Sequence, residues 1–348
     1  MAGSIVKKAK ELGFEKCGIV AVEEMEGFAE KLNERIAMFP ETEKPLKGLF
    51  SYAKVKEKFP WAKAVVVCSK HYGKYKIPQH LKGHIAKKYL TDTRRDAASK
   101  EHQESLAFEE FLNNELGLQT ATNRDFGITA LRWAAAKAGV GKVRRNNFFY
   151  GEHGSYYFLE AYLIDKPLEH IYHDEYKECP ENCNRCINSC PSKSLAQPYA
   201  MNRSTCVSCL TSWEGWDMRN EKHNKDIGEW IFGCDVCQDV CPFNSNKWLD
   251  QEEFPGLTLL AQNISFEKIL AMDYTYLREV MSPKFWYIGK KDVWKWKTNV
   301  LNAMLNNYED RYEQSIIAAC ADEDEHVRQM ASWVLEQLKN EEKLKKQA

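Results

Sequence analysis

The sequence predicts a mixed α+β chain in three stretches, and three observations carry that reading. Strand-like apolar runs alternate with helical stripes over roughly the first 170 residues. Residues 171–250 are rich in Cys, Asn, Ser and Pro and cannot assemble a conventional apolar core. From about residue 264 the apolar residues recur at helical spacing. The expected organisation is residues 1–170 as an α/β unit, 171–250 as a cysteine-bound unit and 251–348 as a helical region.

Within the first stretch, Ile5, Ala9 and Leu12 lie at helical spacing, and residues 16–21 read as extended. The β-branched run Val65-Val66-Val67 marks a buried strand over residues 64–68. Residues 101–116 form an amphipathic helix stopped by Gly117, and a further helix over residues 128–138 stops at Gly139. Residues 156–164 are a strand. In the last stretch, Trp294, Val300, Leu301, Met304 and Leu305 make one apolar stripe. Val327, Met330, Ala331, Val334, Leu335 and Leu338 make a second, as in a short helical-repeat pair.

Composition excludes little else. The chain has 348 residues, 44 % apolar and 28 % charged, with a net charge of −1. This balance is that of a globular protein and names no partner. No apolar run approaches a membrane span, so no membrane association is expected. The first residues lack the apolar stretch of a secretory signal, so a reducing cytoplasm is expected and structural disulfides are not. One asymmetry hides in the neutral total. Residues 44–100 hold 15 Lys/Arg against 3 Asp/Glu. Such a field attracts phosphates or nucleic acid, or is simply a solvated face.

Of the 12 cysteines, 9 lie between Cys179 and Cys241. They form two ladders, Cys179-x3-Cys183-x2-Cys186-x3-Cys190-Pro191 and Cys206…Cys234-x2-Cys237-x3-Cys241-Pro242. C-x2-C-x3-C-P occurs twice. In two-cluster ferredoxins the Cys before Pro ligates the other cluster of the pair. Zinc ribbons use paired knuckles and need no such residue. The pattern therefore assigns Cys179, Cys183, Cys186 and Cys241 to one [4Fe–4S] cluster, and Cys190, Cys206, Cys234 and Cys237 to the other. The first gap is one residue wider than the usual spacing, at Cys179. Cys209 is a spare thiol, read as a small buried hydrophobe, and Cys17, Cys68 and Cys320 read as core. Paired clusters pass single electrons and do not select a substrate, so the first stretch is expected to hold another cofactor.

The stretch Gly233-Cys234-Asp235-Val236-Cys237-Gln238-Asp239-Val240-Cys241-Pro242-Phe243-Asn244 resembles the second cluster motif of the epoxyqueuosine reductases, relatives of the reductive dehalogenases. So does Cys206-Val207-Ser208-Cys209-Leu210-Thr211. Asp125 to Ile128, followed by Lys137-Ala138-Gly139-Val140-Gly141, resembles the family segment that carries a catalytic Asp and a glycine turn. The resemblance implies a nitroreductase-like first domain holding base-off cobalamin, a ferredoxin-like insert and a HEAT-like C-terminal region. It implies electron flow from the clusters to Co(I) cobalamin and on to substrate, with Asp125 as proton donor. Without it, Asp125 reads as a helix cap. It also implies cofactor contacts from Gly139, Gly141, Arg145, Asn146, Ser208 and Thr211, although the first four also read as a helix C-cap and surface loop.

The partners implied are tRNA and an external low-potential donor, a ferredoxin or flavodoxin. The chain departs from the family in Phe126-Gly127-Ile128, where Ser-Ala-Pro is usual, in Cys209, where Tyr is usual, and in the acidic run Asp322-Glu323-Asp324-Glu325. These departures keep two alternatives open. One is a sister reductase of small molecules, and the other is an electron-transfer protein that reduces a corrinoid bound elsewhere.

Overall fold

A computed structural model describes residues 1–93, 97–125, 127–173, 176–213, 219 and 221–341; of Asp125, Glu221 and Lys222 the backbone alone is described. Six strands appear in chain order: β1 Lys16–Ala21, β2 Ala64–His71, β3 Thr120–Thr122, β4 Lys142–Val143, β5 Phe149–Tyr150 and β6 Tyr157–Ile164. Four of them form one sheet in the order β1-β2-β6-β3, and β4 and β5 form a small hairpin. Every pairing is antiparallel, with Cys17 opposite Cys68 and Val66 opposite Tyr162. The continuous apolar runs of β2 and β6 report that both sheet faces are covered. They do not report strand direction, which is why an α/β layer was the natural expectation and an antiparallel sheet is what forms.

The helices that cover the sheet are α1 Ala2–Glu11, α2 Phe28–Met38, α3 Lys100–Glu110 and α4 Leu131–Lys137. Ile5 and Ala9 of α1 and Phe108 of α3 pack on Ile19, Val66 and Tyr162. Ala134 and Ala135 of α4 pack on the opposite face, with Val65, Val67 and Leu163. Ser99 caps α3 by accepting from the His102 N–H, and the helix runs on through a wide turn, Phe111–Glu115, before Gly117 turns the chain. Gly139 ends α4 at φ +64°, where a Cβ would strike the His173 backbone.

After His71 the chain crosses to a second core. Tyr75, Ile77, Leu81, Ile85 and Leu90 pack with Phe232, Phe254 and Trp296. That core also holds Val207, Leu210, Ile227 and Ile231, so the stretch between the cysteine ladders is buried by the helices that follow it. Those helices are α5 Trp294–Asn306, α6 Glu313–Ala319 and α7 Glu325–Asn340. The acidic run at their junction turns partly inward: Asp322 pairs with buried Lys297 at 2.8 Å, and Asp324 caps α7.

Helix α5 is buried from Lys295 to Leu305, on its polar side as well as its apolar side. Asn299 donates to the buried carbonyls of Thr211 (2.9 Å) and Ile231 (2.8 Å), and Asn302 donates to Gly228 O. These bonds tie residues 211–231 to the helix. Asn299→Leu leaves two buried carbonyls unpaired and is expected to cost roughly 2–4 kcal/mol in a denaturant titration. An unchanged midpoint would show that water replaces the amide.

The basic stretch is partly neutralised within the chain. Lys56, Lys70, Lys74, Lys76, Lys82 and Lys87 all meet carboxylates from outside it, among them Glu104, Glu252, Asp250 and Asp239.

Candidate functional site

The cysteines come together in two sets. Cys186 and Cys190 lie in and just after the short helix Arg185–Ser189, and Cys237 lies in the helix Val236–Asp239. Burial pushes the Cys186 thiol up, and the neighbouring thiols of Cys241, Cys179 and Cys183 push the same way. Burial pushes the Cys237 thiol well up, reinforced by Cys234, Cys206 and Cys190. Cys241 thus acts on a thiol of the first ladder, and Cys190 on a thiol of the second. Among the described residues no three His, Cys, Asp or Glu side chains come together as ligands of a single ion. A four-iron cube, in contrast, takes one thiolate per iron and spreads its ligands around the cube. Thiols this buried become thiolates when a metal supplies the positive charge.

Cys209 is not merely a space filler. Its hydrogen bond to Cys206 draws that thiol down to about 7 against the effect of burial, so a fifth sulfur lies at the second set. Cys17 and Cys68 are buried in the sheet core, and Cys320 is half-buried.

A large cavity of about 430 Å³ lies along the edge of β6, where β3 no longer pairs with it. Such a volume lies in the range of ligand and cofactor pockets. Phe28, Leu131, Phe149 and Phe158 give it apolar walls, and Trp286 and Tyr287 bring the C-terminal region to its rim. One wall is polar. Lys70 meets Glu104 at 2.6 Å, and Glu160 accepts from the Ser105 and Tyr162 hydroxyls. Burial would raise the Glu101 carboxyl, but the Tyr75 hydroxyl and Lys74 hold it below the usual carboxylate range. Glu101 is therefore a fixed anion and not a proton donor. The Thr129 hydroxyl, buried on the same lining, has no hydrogen-bond partner.

The backbone of Asp125 ends the single turn Asn123–Asp125; its side chain, like Phe126, lies outside the described residues. Asn123, Arg124 and Gly127 on either side of it line the cavity. Helix α4 starts after Ala130, which offers no side-chain cap.

The six residues expected at a cofactor lie elsewhere. Gly139 makes room for the His173 backbone, and a Cβ on Gly141 would strike Tyr150 O. Arg145 donates to Asn184 Oδ1 (3.0 Å) and to Glu181 O, which clamps the loop of the first ladder. Asn146 donates to the Tyr150 hydroxyl and to Cys237 O at 3.0 Å. Thr211 is fully buried and accepts from the Gly233 N–H. Ser208 Oγ lies 3.3 Å from the Tyr89 hydroxyl. Of the six, none is among the residues lining the large cavity. Sequence reasoning passed over Lys70 and Glu160, although a charge inside an otherwise apolar strand was a visible signal for each.

The cavity and the second set are close. Tyr287 on the rim packs against Tyr89 at 5.3 Å, and Tyr89 reaches Ser208 and the fields of Cys209 and Cys206.

Two cysteine ladders brought together beside a sheet with a cofactor-sized cavity are the arrangement of an iron–sulfur protein of the double-cluster class. Residues 178–244 match the family model described as a 4Fe-4S double cluster binding domain. The chain is similar to epoxyqueuosine reductases. It is 33 % identical to that of Cellulophaga algicola over 180 residues, 49 % of this chain and 52 % of the relative. It is 27 % identical to that of Bacillus subtilis over 70 % of this chain and 63 % of the relative. The chain thus spans about half to three-fifths of the length of these relatives. A crystal structure of selenomethionine-labelled epoxyqueuosine reductase superposes with a TM-score of 0.78 at 20 % identity, covering 99 % of this chain and 95 % of that one. An epoxyqueuosine reductase with a tRNA-Tyr epoxyqueuosine-modified stem loop gives 0.76 at 21 % identity over the same shares. At such identity the likeness is one of fold. Among the described residues, no helix is long and apolar enough to cross a membrane.

Proposed function

We propose that this chain is a cobalamin-dependent iron–sulfur reductase that acts on epoxyqueuosine in tRNA. One observation carries the reading: the large cavity has the Asp125 loop on its wall and the second cysteine set behind the Tyr287–Tyr89 contact at its rim. Cys179, Cys183, Cys186 and Cys241 hold one cluster, and Cys190, Cys206, Cys234 and Cys237 hold the other. The apolar walls suit the face of a corrin, and the unpartnered Thr129 hydroxyl suits the amides at its edge. When bound, cobalamin supplies a strongly reducing cobalt centre fed by single electrons. Asp125 donates the proton. Lys70, paired with Glu104, and the Glu101 carboxylate orient the substrate. An external ferredoxin or flavodoxin supplies electrons.

A small-molecule sister reaction is the second reading. It is favoured by the internal pairing of the basic stretch, which leaves less positive field for an RNA backbone. The test is anaerobic incubation of the reduced, cobalamin-loaded chain with an epoxyqueuosine-modified stem loop, alongside iron and cobalt analysis. Conversion by protein with about eight irons and one cobalt is expected, from two four-iron centres. Fully loaded protein that leaves the stem loop unchanged removes tRNA as substrate. Protein that takes up iron but never retains cobalt removes the corrin.

A further inference from the structure

We propose that Arg144 is the counter-charge of the first cluster and holds its reduction potential above that of the second. Arg144 is 5 % exposed. Among the described residues no carboxylate pairs with it. Its guanidinium donates to Lys177 O at 2.8 Å and to Cys179 Sγ at 3.8 Å, lies 3.4 Å from the ring centre of Phe243, and leaves Nε without a partner. A buried cation without an anion is strongly disfavoured. The missing anion is indicated by the small cavity beside it, which Arg144 and Arg145 line together with Cys179, Cys183, Cys186 and Cys241.

Four thiolates outweigh the double positive charge of an oxidised four-iron core, so that site is a dianion. Reduction adds one electron to the core, with no bond made or broken, and yields a trianion. A fixed positive charge at hydrogen-bonding distance stabilises the trianion more, which raises the potential. The second set lies instead beside the buried Asp235 carboxyl, which accepts from the Lys87 N–H and from Gln238. The first cluster is therefore the easier of the two to reduce.

The inference rests on the double-cluster reading and needs neither corrin nor tRNA. The test is a dithionite titration of the iron- and sulfide-loaded chain, followed by electron paramagnetic resonance. Arg144→Gln is expected to lower the reduced-to-oxidised ratio of one cluster at least tenfold at the wild-type midpoint, about 59 mV for one electron. The step that moves is the one missing in Cys186→Ala, and the other step stays in place. Arg144→Lys, which keeps the charge, is expected to restore most of the shift. Fully loaded Arg144→Gln with neither step moved, or both moved equally, overturns the inference. So does Arg144→Lys shifted as far as Arg144→Gln. If Arg144→Gln holds only half the iron, recovery in Arg144→Lys supports the counter-charge, and half-loading in both overturns it. A wild-type chain that cannot be loaded overturns this inference and the cluster reading together. A loaded chain that leaves the stem loop unchanged overturns the tRNA reading alone.

Discussion

Replacing Cys186 or Cys241 by Ala is expected to empty the same cluster, although the two lie in different ladders. Each variant should retain about four irons of about eight and show the same residual paramagnetic spectrum. Cys190→Ala and Cys237→Ala should show the complementary spectrum. Double variants sharpen the test. Cys186→Ala with Cys241→Ala should still hold about four irons, because both changes fall on one site. Cys186→Ala with Cys234→Ala should hold almost none. The basis is the grouping of the thiols, with Cys241 beside Cys186 and Cys190 beside Cys237. If Cys186→Ala with Cys241→Ala instead loses all its iron, as Cys186→Ala with Cys234→Ala does, each ladder serves its own cluster and the crossed assignment is wrong. Losing a cluster should also loosen residues 178–244. Their own apolar cluster is small, built on Cys186, Cys190 and Leu195, so ligand binding supplies much of the folding energy there.

Asp125→Asn is expected to lower turnover of the stem loop by about 10²–10⁴-fold, the usual contribution of a positioned acid. Iron and cobalt content should not change. The amide keeps the size of the side chain and removes its proton, so a loss confined to turnover separates a proton donor from a structural residue. The loop geometry supports the assignment. Asn123 accepts from the Ala161 N–H at 2.7 Å and anchors the turn to β6, and the neighbours of Asp125 line the cavity. Helix α4 itself begins beyond Ala130, five residues after Asp125. Wild-type turnover by Asp125→Asn would place the proton donor elsewhere.

The two outcomes depend on information of different kinds. Ligand spacing is local: C-x2-C-x3-C-P sets which sulfurs a cube can reach. The cysteine sets were therefore legible before any fold was known. The cavity was not, because its lining is drawn from β2, α3, β6, the Asp125 loop and Trp286–Tyr287, which lie far apart in sequence. Glycines 139 and 141 show the same limit from the other side. Their motif is visible, but the backbone they admit is that of His173 and Tyr150, and only packing could show that.

The basic stretch of residues 44–100 looks like an electrostatic surface in isolation, and six of its lysines instead meet acids brought from Glu23, Glu104 and residues 239–253. The polar face of α5 would be assigned to solvent by periodicity, yet Asn299 and Asn302 spend their amides on buried carbonyls. The sequence by itself determined the thiol chemistry, the positions of β1, β2 and β6 and the helical stripes, because each depends on near neighbours along the chain. Strand direction, charge neutralisation and the cavity were decided only by the tertiary structure, because each is a relation between segments that meet only once the chain has folded.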